Sequence, residues 1–245
     1  MTCCCCPHSA DAGRLFSRLA RRYRRRYQRA GLEASQRQLI EGLRRAGFEG
    51  RTLLEIGSGV GYLHQLLLEA GARRAVGIEL AEAMIVEARE QASARGLEGR
   101  TEYHAGDFTD LADTLAPADV TILDKVICCY PDAERLVHCS LAKTRRVYAF
   151  TLPRNRWYTR LGVGLIASGM RLIGSRFRPY VYDPEHIARW VTAAGFRMSF
   201  EAKTLVWLTR IYTRGDPEAE RRLPSRLVSA ADDVGRCTEP TQAGG

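Results

Sequence analysis

The sequence contains one glycine-rich loop whose composition and flanking segments are suited to binding a small ligand. Residues 53–63 read LLEIGSGVGYL: an apolar run, a loop with glycine at every second position, and the start of an apolar helical pattern. Glycines in such a loop let the backbone approach a ligand without an intervening Cβ. A strand, a glycine loop and a helix in this order are typical of a nucleotide site at the carboxyl end of a parallel strand. The loop glycines are Gly57, Gly59 and Gly61.

Acidic side chains accompany this loop and the ends of the apolar runs that follow it. Glu55 precedes the loop, Glu79 ends the next run, and Asp107 and Asp124 follow later runs. Glu79 is suited to accept two hydrogen bonds from a vicinal diol, as the ribose-binding acid of dinucleotide folds does. The spacing G-x-G-x-G departs from the dinucleotide fingerprint, and no Lys-Ser or Lys-Thr pair closes the loop as in a P-loop. Because carboxylates repel phosphates, the acids favour a cationic nucleoside without phosphates.

The order of these motifs resembles that of the class I S-adenosylmethionine-dependent methyltransferases, over about residues 51–214. The resemblance implies S-adenosylmethionine as cofactor, with the backbone of residues 57–61 beneath it and Glu79 on its ribose. It also implies that Asp107 binds the adenine amino group and that Glu55 lies near the methionine amino end. Asp124 would lie beside the methyl group. The implied cofactor-binding residues are Glu55, Gly57, Ser58, Gly59, Gly61, Glu79, Leu80, Gly106, Asp107, Phe108, Asp124 and Tyr23.

The segment that begins at Asp124 supplies the candidates for the transfer step. Methyl transfer mainly requires alignment of donor and acceptor, which can supply effective molarities of about 10⁵–10⁸ M. A carboxylate or thiolate acceptor needs no general base, whereas a phenol or an amine benefits from one. We therefore assign catalytic roles to Asp124, Cys129 and Tyr130. We expect no metal site, because no histidine or cysteine has partners at a ligand spacing, and we expect His64 to face solvent.

Within this class the chain is similar to the magnesium-protoporphyrin O-methyltransferases. The likeness lies in an N-terminal helix pair with arginines and aromatics, in residues 123–131, and in a long insertion after the fifth strand. It implies a small-molecule acceptor that carries a carboxylate on a large, flat, anionic framework. Cys129 stands where that group has a histidine before the tyrosine. Another small-molecule O-, N- or S-methyltransferase is an alternative. A second is a non-catalytic S-adenosylmethionine-binding module that its arginine-rich helix tethers to anionic surfaces or RNA.

Alternating strand-like and helix-like segments must position these residues. The alternation predicts a parallel sheet with helices on both faces. Together with the family resemblance, it implies an α/β three-layer sandwich with a seven-stranded, mostly parallel sheet, which is a Rossmann-like methyltransferase fold with an N-terminal helical cap. Strands are predicted at 52–56, 74–79, 101–106, 118–124, 146–152, 196–205 and 207–213. Helices are predicted at 12–30, 34–46, 61–70, 81–95, 131–143 and 184–194.

The same pattern predicts how the chain divides into units. The catalytic domain contains an insertion that is interpreted either as a lid or as a packing helix. Four consecutive cysteines, at positions 3–6, lie in the first unit, and the sequence assigns them no role. The predicted units are a disordered cysteine-rich tail at 1–11, a helical cap at 12–50, a methyltransferase domain at 51–214 with an insertion at 154–183, and a polar tail at 215–245.

Positive charge is concentrated in one short segment. The formal net charge is +9, and eight arginines lie between Asp11 and Glu33 with no acid among them. Such a cluster attracts anions, and we expect peripheral contact with an anionic membrane surface. The rest of the chain is close to neutral, which argues against nucleic acid as a partner. With no signal-peptide pattern and no apolar run of spanning length, the sequence predicts a cytoplasmic location.

Overall fold

The computed structural model describes residues 7–172 and 174–215 as alternating helices and strands. Short 3-10 turns lie at Glu98–Arg100, Ala112–Thr114 and Ile127–Cys129. The order along the chain is α1 (Pro7–Ala30), α2 (Ala34–Ala46), β1 (Thr52–Ile56), α3 (Tyr62–Glu69), β2 (Arg74–Glu79), α4 (Glu82–Ala94), β3 (Thr101–Ala105), α5 (Phe108–Leu111), β4 (Ala118–Asp124), α6 (Ala133–Ala142), β5 (Thr144–Pro153), α7 (Trp157–Leu172), α8 (Pro184–Ala193), β6 (Phe196–Lys203) and β7 (Trp207–Arg214).

The strands form one seven-stranded sheet in the order β3-β2-β1-β4-β5-β7-β6. β7 runs antiparallel to both of its neighbours, and the pairs among the first five strands are parallel. This topology confirms the predicted Rossmann-like fold. The strand order reverses between β1 and β4, which is where open α/β sheets bind their ligands, outside the carboxyl ends of the strands.

Helices cover both faces of the sheet because the central strands are apolar on both sides. In β1, Leu54 belongs to a core cluster with residues of α6 and α8, whereas Leu53 belongs to a cluster with residues of α2, α3 and α4. This alternation follows from the two-residue period of a strand. Parallel strands buried on both faces read as nearly continuous apolar runs, which explains why their boundaries were readable from the sequence.

The N-terminal boundary differs from the prediction. α1 begins at Pro7, so residues 7–11 are helical where a disordered tail was predicted. Tertiary hydrogen bonds account for the longer helix: the Ser9 hydroxyl donates to Asp107 at 2.8 Å, and Asp11 accepts from the backbone N–H of Arg176 at 2.7 Å. The cysteines at positions 3–6 and residues 216–245 of the predicted polar tail lie outside the described residues.

The predicted insertion contains one long helix, α7, which is tied to the rest of the protein near its two ends. The Tyr158 hydroxyl donates to the Leu205 carbonyl at 2.8 Å, and after the helix the Tyr180 N–H donates to the Cys128 carbonyl at 2.7 Å. Of the 16 residues of α7, Thr159 is the one that is buried. Within residues 7–172 and 174–215, no helix has both the length and the apolar character required to cross a bilayer.

Candidate active site

A cavity of about 820 Å³ opens where the carboxyl ends of β1, β2, β3 and β4 meet, and residues of α1 and α7 also line it. The structure brings together all of the residues that were proposed for the site from the sequence. Their individual roles remain predictions. The lining includes Tyr23, Glu55, Gly57, Ser58, Gly59, Gly61, Glu79, Leu80, Gly106, Asp107, Phe108, Asp124, Cys129 and Tyr130.

The glycine loop is hydrogen-bonded to the end of the neighbouring strand. The N–H groups of Gly57 and Ser58 donate to the Ile78 carbonyl at 2.8 and 3.0 Å. The φ angle is +67° at Gly57 and +53° at Gly59, a region that disfavours side chains. A Cβ on Gly57 would lie 2.4 Å from Val126, whereas a Cβ on Gly59 would meet no protein atom within 4 Å. Gly59 therefore leaves open space in the cavity over which a ligand can lie.

We expect Gly59→Ala to weaken S-adenosylmethionine binding about tenfold, because the added methyl group occupies this open space. Gly96→Ala is the matched control: its φ is +66°, a Cβ there also meets nothing within 4 Å, and it does not line the cavity. Both substitutions cost about 1–2 kcal/mol of backbone strain. Calorimetric titration checks the prediction, and equal affinities for the two variants would remove Gly59 from the binding surface.

Glu79 joins the ends of three strands. Its carboxylate accepts from the Gly59 N–H at 2.9 Å and from the Ala81 N–H at 3.0 Å, and its carbonyl accepts from the Gly106 N–H at 3.0 Å. Burial raises the pKa of Glu79, and the backbone N–H groups oppose that shift. Each carboxylate oxygen keeps acceptor capacity, since an ionised carboxylate has about four lone-pair sites. Glu79 can therefore hold the loop and still accept two ligand hydroxyls.

The prediction that His64 faces solvent is wrong. His64 is fully buried, with Nδ1 2.6 Å from the Glu55 carboxylate and Nε2 2.8 Å from the Tyr103 hydroxyl. Gln65 adds a bond to the same hydroxyl at 3.0 Å. The error arose because α3 is buried on several sides, between the sheet and α4, so a polar residue there needs an internal partner. His64 and Tyr103 therefore fix the orientation of Glu55.

Cofactor affinity should weaken in acid because of the buried acids. Burial raises the pKa of Glu55 and of Glu79 above the ordinary glutamate value. A cationic ligand favours the ionised carboxylates, so binding is strongest above the raised pKa values and weakens as the pH falls through them. Each proton taken up costs up to about tenfold in affinity per pH unit. Titrations between pH 8 and pH 5 check this, and an affinity that stays constant or rises toward acid would contradict it.

The stability of the unliganded protein depends on pH in the opposite direction to cofactor affinity. A carboxyl group whose pKa is raised by folding, such as Glu55, stabilises the fold fully below its unfolded pKa. That contribution is lost as the pH rises through the raised value. Binding of the cationic cofactor is therefore expected to raise the melting temperature more at neutral than at acidic pH.

Asp107 and Tyr130 form one hydrogen-bonded unit. The Tyr130 hydroxyl donates to Asp107 Oδ1 at 2.8 Å, and Thr109 contacts the same oxygen through its N–H and its hydroxyl, both at 3.0 Å. Asp107 thereby caps α5, and its other oxygen accepts from Ser9 of α1 at 2.8 Å. Burial and the Asp107 charge raise the pKa of Tyr130. These contacts direct the Tyr130 hydroxyl toward Asp107.

One carboxylate oxygen of Asp124 is hydrogen-bonded to another side chain, whereas the other oxygen has no such bond among the described residues. Oδ2 accepts from Gln36 of α2 at 3.0 Å and lies 3.4 Å from the Lys125 ammonium. Oδ1 is buried and has no hydrogen-bond partner within the described part of the chain. Lys125 also pairs with Glu33 at 3.1 Å and has a φ of +61°, which is rare for a residue with a side chain. A buried acceptor left open beside the cavity indicates a place for a cationic donor.

The N-terminal helix contributes one wall of the cavity. Tyr23, which was predicted to contact the cofactor, lines the cavity and is partly exposed. Tyr27, one turn further on, stacks on Tyr62 of α3 with ring centroids 3.5 Å apart. Phe16 packs edge-on against Phe177, which follows α7, at 5.7 Å. α1 thus touches both the start of α3 and the inserted segment.

The proposed catalytic residue Cys129 is half-buried and lies next to a second thiol. Its Sγ is 3.9 Å from that of Cys128 and 3.5 Å from the Lys125 carbonyl. The hydrogen bond with Cys129 raises the pKa of the Cys128 thiol, and burial raises it further. The raised pKa disfavours the thiolate form of Cys128.

Comparison with known proteins finds a matching family over part of the chain. Residues 53–147 match a family described as a methyltransferase domain, a span that includes the glycine loop and every predicted acid. A comparison with curated proteins finds no match. The matched segment ends within β5, so α1, α2, α7 and the terminal hairpin lie outside it.

Solved structures with the same fold include cofactor-bound methyltransferases. Magnesium protoporphyrin IX methyltransferase from Synechocystis PCC 6803 with bound SAH has a TM-score of 0.63 at 19% identity, over 85% of this chain and 100% of that one. The same enzyme with bound SAM also scores 0.63, at 16% identity, over 87% and 100%. An O-methyltransferase family 2 protein from Planctomyces limnophilus in complex with apigenin scores 0.55 at 18% identity, over 76% and 63%. At these identities the likeness shows the fold.

Proposed function

We propose that this chain, whose residues 53–147 match a methyltransferase domain, uses S-adenosylmethionine to methylate a carboxylate on a large, flat, anionic small molecule. One observation carries the proposal: a single cavity joins the cofactor-side acids to an aromatic chamber beneath α7. When bound, S-adenosylmethionine supplies an electrophilic methyl group on a positively charged sulfur. The open space at Gly59 and the unpartnered Asp124 oxygen fit such a cation.

The residues of the chain that would hold the cofactor act mainly by position and charge. Glu79 accepts from the ribose hydroxyls while it holds the glycine loop. Asp107, oriented by Tyr130 and Thr109, accepts from the adenine amino group. Glu55 and Asp124 supply negative charge near the cationic end, and Glu55 is oriented by His64. Fixed charges of this kind stabilise a cation without reorganisation, since the protein has already placed them.

The acceptor side of the cavity is lined by aromatic rings and is suited to a flat molecule. Tyr158 of α7, Phe177, Tyr180 and Trp207 line this side together with Ile166. Aromatic side chains pack on planar ligands by offset or edge-on contacts. The similar fold of a magnesium protoporphyrin IX methyltransferase supports a substrate of this shape, but the aromatic lining is the observation in this chain.

Lys125 is the cation best placed to receive an acceptor carboxylate. Its ammonium lies 5.2 Å from the centre of the Trp207 ring and is paired with Glu33 and Asp124. An ammonium group has three donors, so two acidic partners leave one for a ligand. The left-handed backbone at Lys125 is the kind of local strain that persists at functional sites.

A carboxylate acceptor fits the arrangement of Tyr130 and Cys128, neither of which is set up as a general base. The Tyr130 hydroxyl is directed to Asp107, and the pKa of the Cys128 thiol is raised. An ionised carboxylate needs no base, because it is already the nucleophile. We therefore propose that Asp124 serves the cofactor, that Tyr130 positions Asp107 and that Cys129 contacts the acceptor. The α1–α2 pair closes the cavity.

We expect the methylated product to be an ester, and its chemistry gives a sharp test. Full-length protein is incubated with S-adenosylmethionine labelled in the methyl group and with protoporphyrin IX, its magnesium chelate or a small-molecule cell extract. A methyl ester releases labelled methanol in mild alkali, whereas a methyl ether or methylamine does not. The labelled product is expected to be alkali-labile and identifiable by mass spectrometry.

Two results would contradict this proposal. An alkali-stable product would move the acceptor atom to oxygen of a phenol, to nitrogen or to another nucleophile. Cofactor binding without transfer to any small molecule would favour a binding module instead. Gly59→Ala, assayed at a limiting cofactor concentration, serves as the control in both cases, because its weaker cofactor binding lowers the amount of labelled product.

A further inference from the structure

The inserted helix α7 exposes an apolar stripe that nothing in the described part of the chain covers. Trp157, Leu161, Leu165 and Leu172 are 76%, 57%, 66% and 88% exposed. At about 100° per residue, these four side chains fall within an arc of about 80°. Large exposed apolar patches mark surfaces that contact a protein or a membrane.

The opposite side of α7 faces the cavity, so the helix has two functional faces. Thr159, Gly162, Val163 and Ile166 line the cavity and lie on the other side of the helical wheel. The exposed stripe is therefore not the face by which α7 meets the rest of the protein, because the residues on that face already line the cavity. The helix separates the acceptor chamber from whatever contacts the stripe.

The segment of the chain that carries the stripe has basic residues and no acidic ones. Between Glu134 and Asp183 the sequence has no acidic residue, whereas the inserted segment has six arginines. Arg160 and Arg171 of α7 are exposed, and on the helical wheel they lie beside the stripe, between it and the cavity-lining face. The six arginines are Arg154, Arg156, Arg160, Arg171, Arg176 and Arg178.

We propose that α7 docks on the surface of an anionic lipid bilayer, with its apolar stripe among the acyl chains and its arginines at the headgroups. A helix with tryptophan and leucine on one face and arginines beside them is suited to lie in the membrane interface. At 16 residues α7 is about 24 Å long, which is shorter than the hydrocarbon core of about 30 Å. The helix therefore lies on the bilayer rather than across it.

A second copy of the chain is a poorer occupant. In a symmetric dimer the same patch meets itself, so the arginines of one copy would face those of the other. Like charges opposed across an interface are costly. Residues 216–245 contain six acids and four basic residues and are another candidate to cover the stripe. Vesicle binding with and without residues 216–245, together with the oligomeric state of the chain, distinguishes these occupants.

The test measures binding of the full chain to unilamellar vesicles of phosphatidylcholine with and without phosphatidylserine. We expect binding to the anionic vesicles that weakens with salt, because exposed charges are screened. Leu161→Ser with Leu165→Ser should weaken binding at least about tenfold, since two exposed apolar side chains no longer enter the bilayer. Val86→Ser with Met198→Ser is the matched control, because these exposed apolar side chains lie on α4 and β6 rather than on α7.

Tryptophan fluorescence gives a second readout that does not depend on the serine variants. Trp157 is exposed, so its emission should shift to shorter wavelength on anionic vesicles and be quenched by brominated acyl chains. The shift should disappear in Trp157→Phe, which keeps an apolar side chain and leaves Trp190 and Trp207 in place. These measurements need no turnover, so their failure is separate from failure of the proposed methyl transfer.

Four outcomes would overturn the proposal. They are absence of vesicle binding, equal binding of the Leu161/Leu165 variant and wild type, binding that appears only after removal of residues 216–245, and a dimer that the Leu161/Leu165 variant dissolves. The third would assign the stripe to the C-terminal segment, and the fourth to a second copy.

Discussion

Replacing Glu79 with alanine is expected to weaken S-adenosylmethionine binding by about 30- to 1000-fold. The variant removes the acceptor of two charge-assisted bonds to the ribose, which together contribute about 2–4 kcal/mol. It also leaves the N–H groups of Gly59 and Ala81 without their carboxylate partner. The glycine loop loses its attachment at the same time, so the effect exceeds that of the ligand bonds alone. Calorimetric titration of the full chain measures it.

Glu102→Ala is the control for this prediction. Glu102 lies on the neighbouring strand β3, its side chain is partly exposed and pairs with Arg74 at 2.6 Å, and it does not line the cavity. An exposed ion pair of this kind contributes less than about 1 kcal/mol. Unchanged affinity in the Glu79 variant, or an equal loss in the Glu102 variant, would remove the ribose assignment.

Asp124→Asn is expected to weaken cofactor binding about 10- to 100-fold while leaving the rate at saturating cofactor unchanged. Asparagine keeps the shape and the acceptor for Gln36, but it removes the negative charge of the open Oδ1 position. A charge-assisted bond contributes about 1.5–3 kcal/mol, which sets the expected loss. The rate is retained because a carboxylate acceptor carries its own charge. Titration and initial rates at saturating S-adenosylmethionine separate the two effects.

The alternative role for Asp124 predicts a different result. If Asp124 removed a proton from a neutral acceptor, the saturated rate would fall by about 10²–10⁴. Asp119→Asn makes the same change at the other end of β4, where the carboxylate binds the Thr52 N–H at 2.9 Å. That control should affect stability and leave cofactor affinity intact. A loss of saturated rate in the Asp124 variant would thus contradict the carboxylate acceptor.

The sheet and the cofactor-side residues could be predicted because local patterns encode them. β1, β2 and β4 begin and end at the expected residues, since buried parallel strands are continuous apolar runs between polar loops. Glu79 could be located because it ends such a run, and Asp107 because it closely follows the next strand-like segment. The match of residues 53–147 to a methyltransferase domain covers this same readable segment.

Features that depend on tertiary packing could not be predicted from the sequence. His64 looks like a surface residue until α4 and Tyr103 enclose it. The left-handed backbone of Lys125 carries no glycine or asparagine signal. The first turn of α1 is held by contacts with Asp107 and Arg176, residues about 100 and 165 positions away.

A crystal structure of the full chain soaked with S-adenosylhomocysteine tests the central claim most directly. The account predicts the nucleoside over residues 57–61, with its ribose hydroxyls on Glu79, its adenine amino group at Asp107 and its amino-acid end toward Glu55 and Asp124. A nucleoside bound elsewhere, or density absent from this cavity at a saturating concentration, would contradict it.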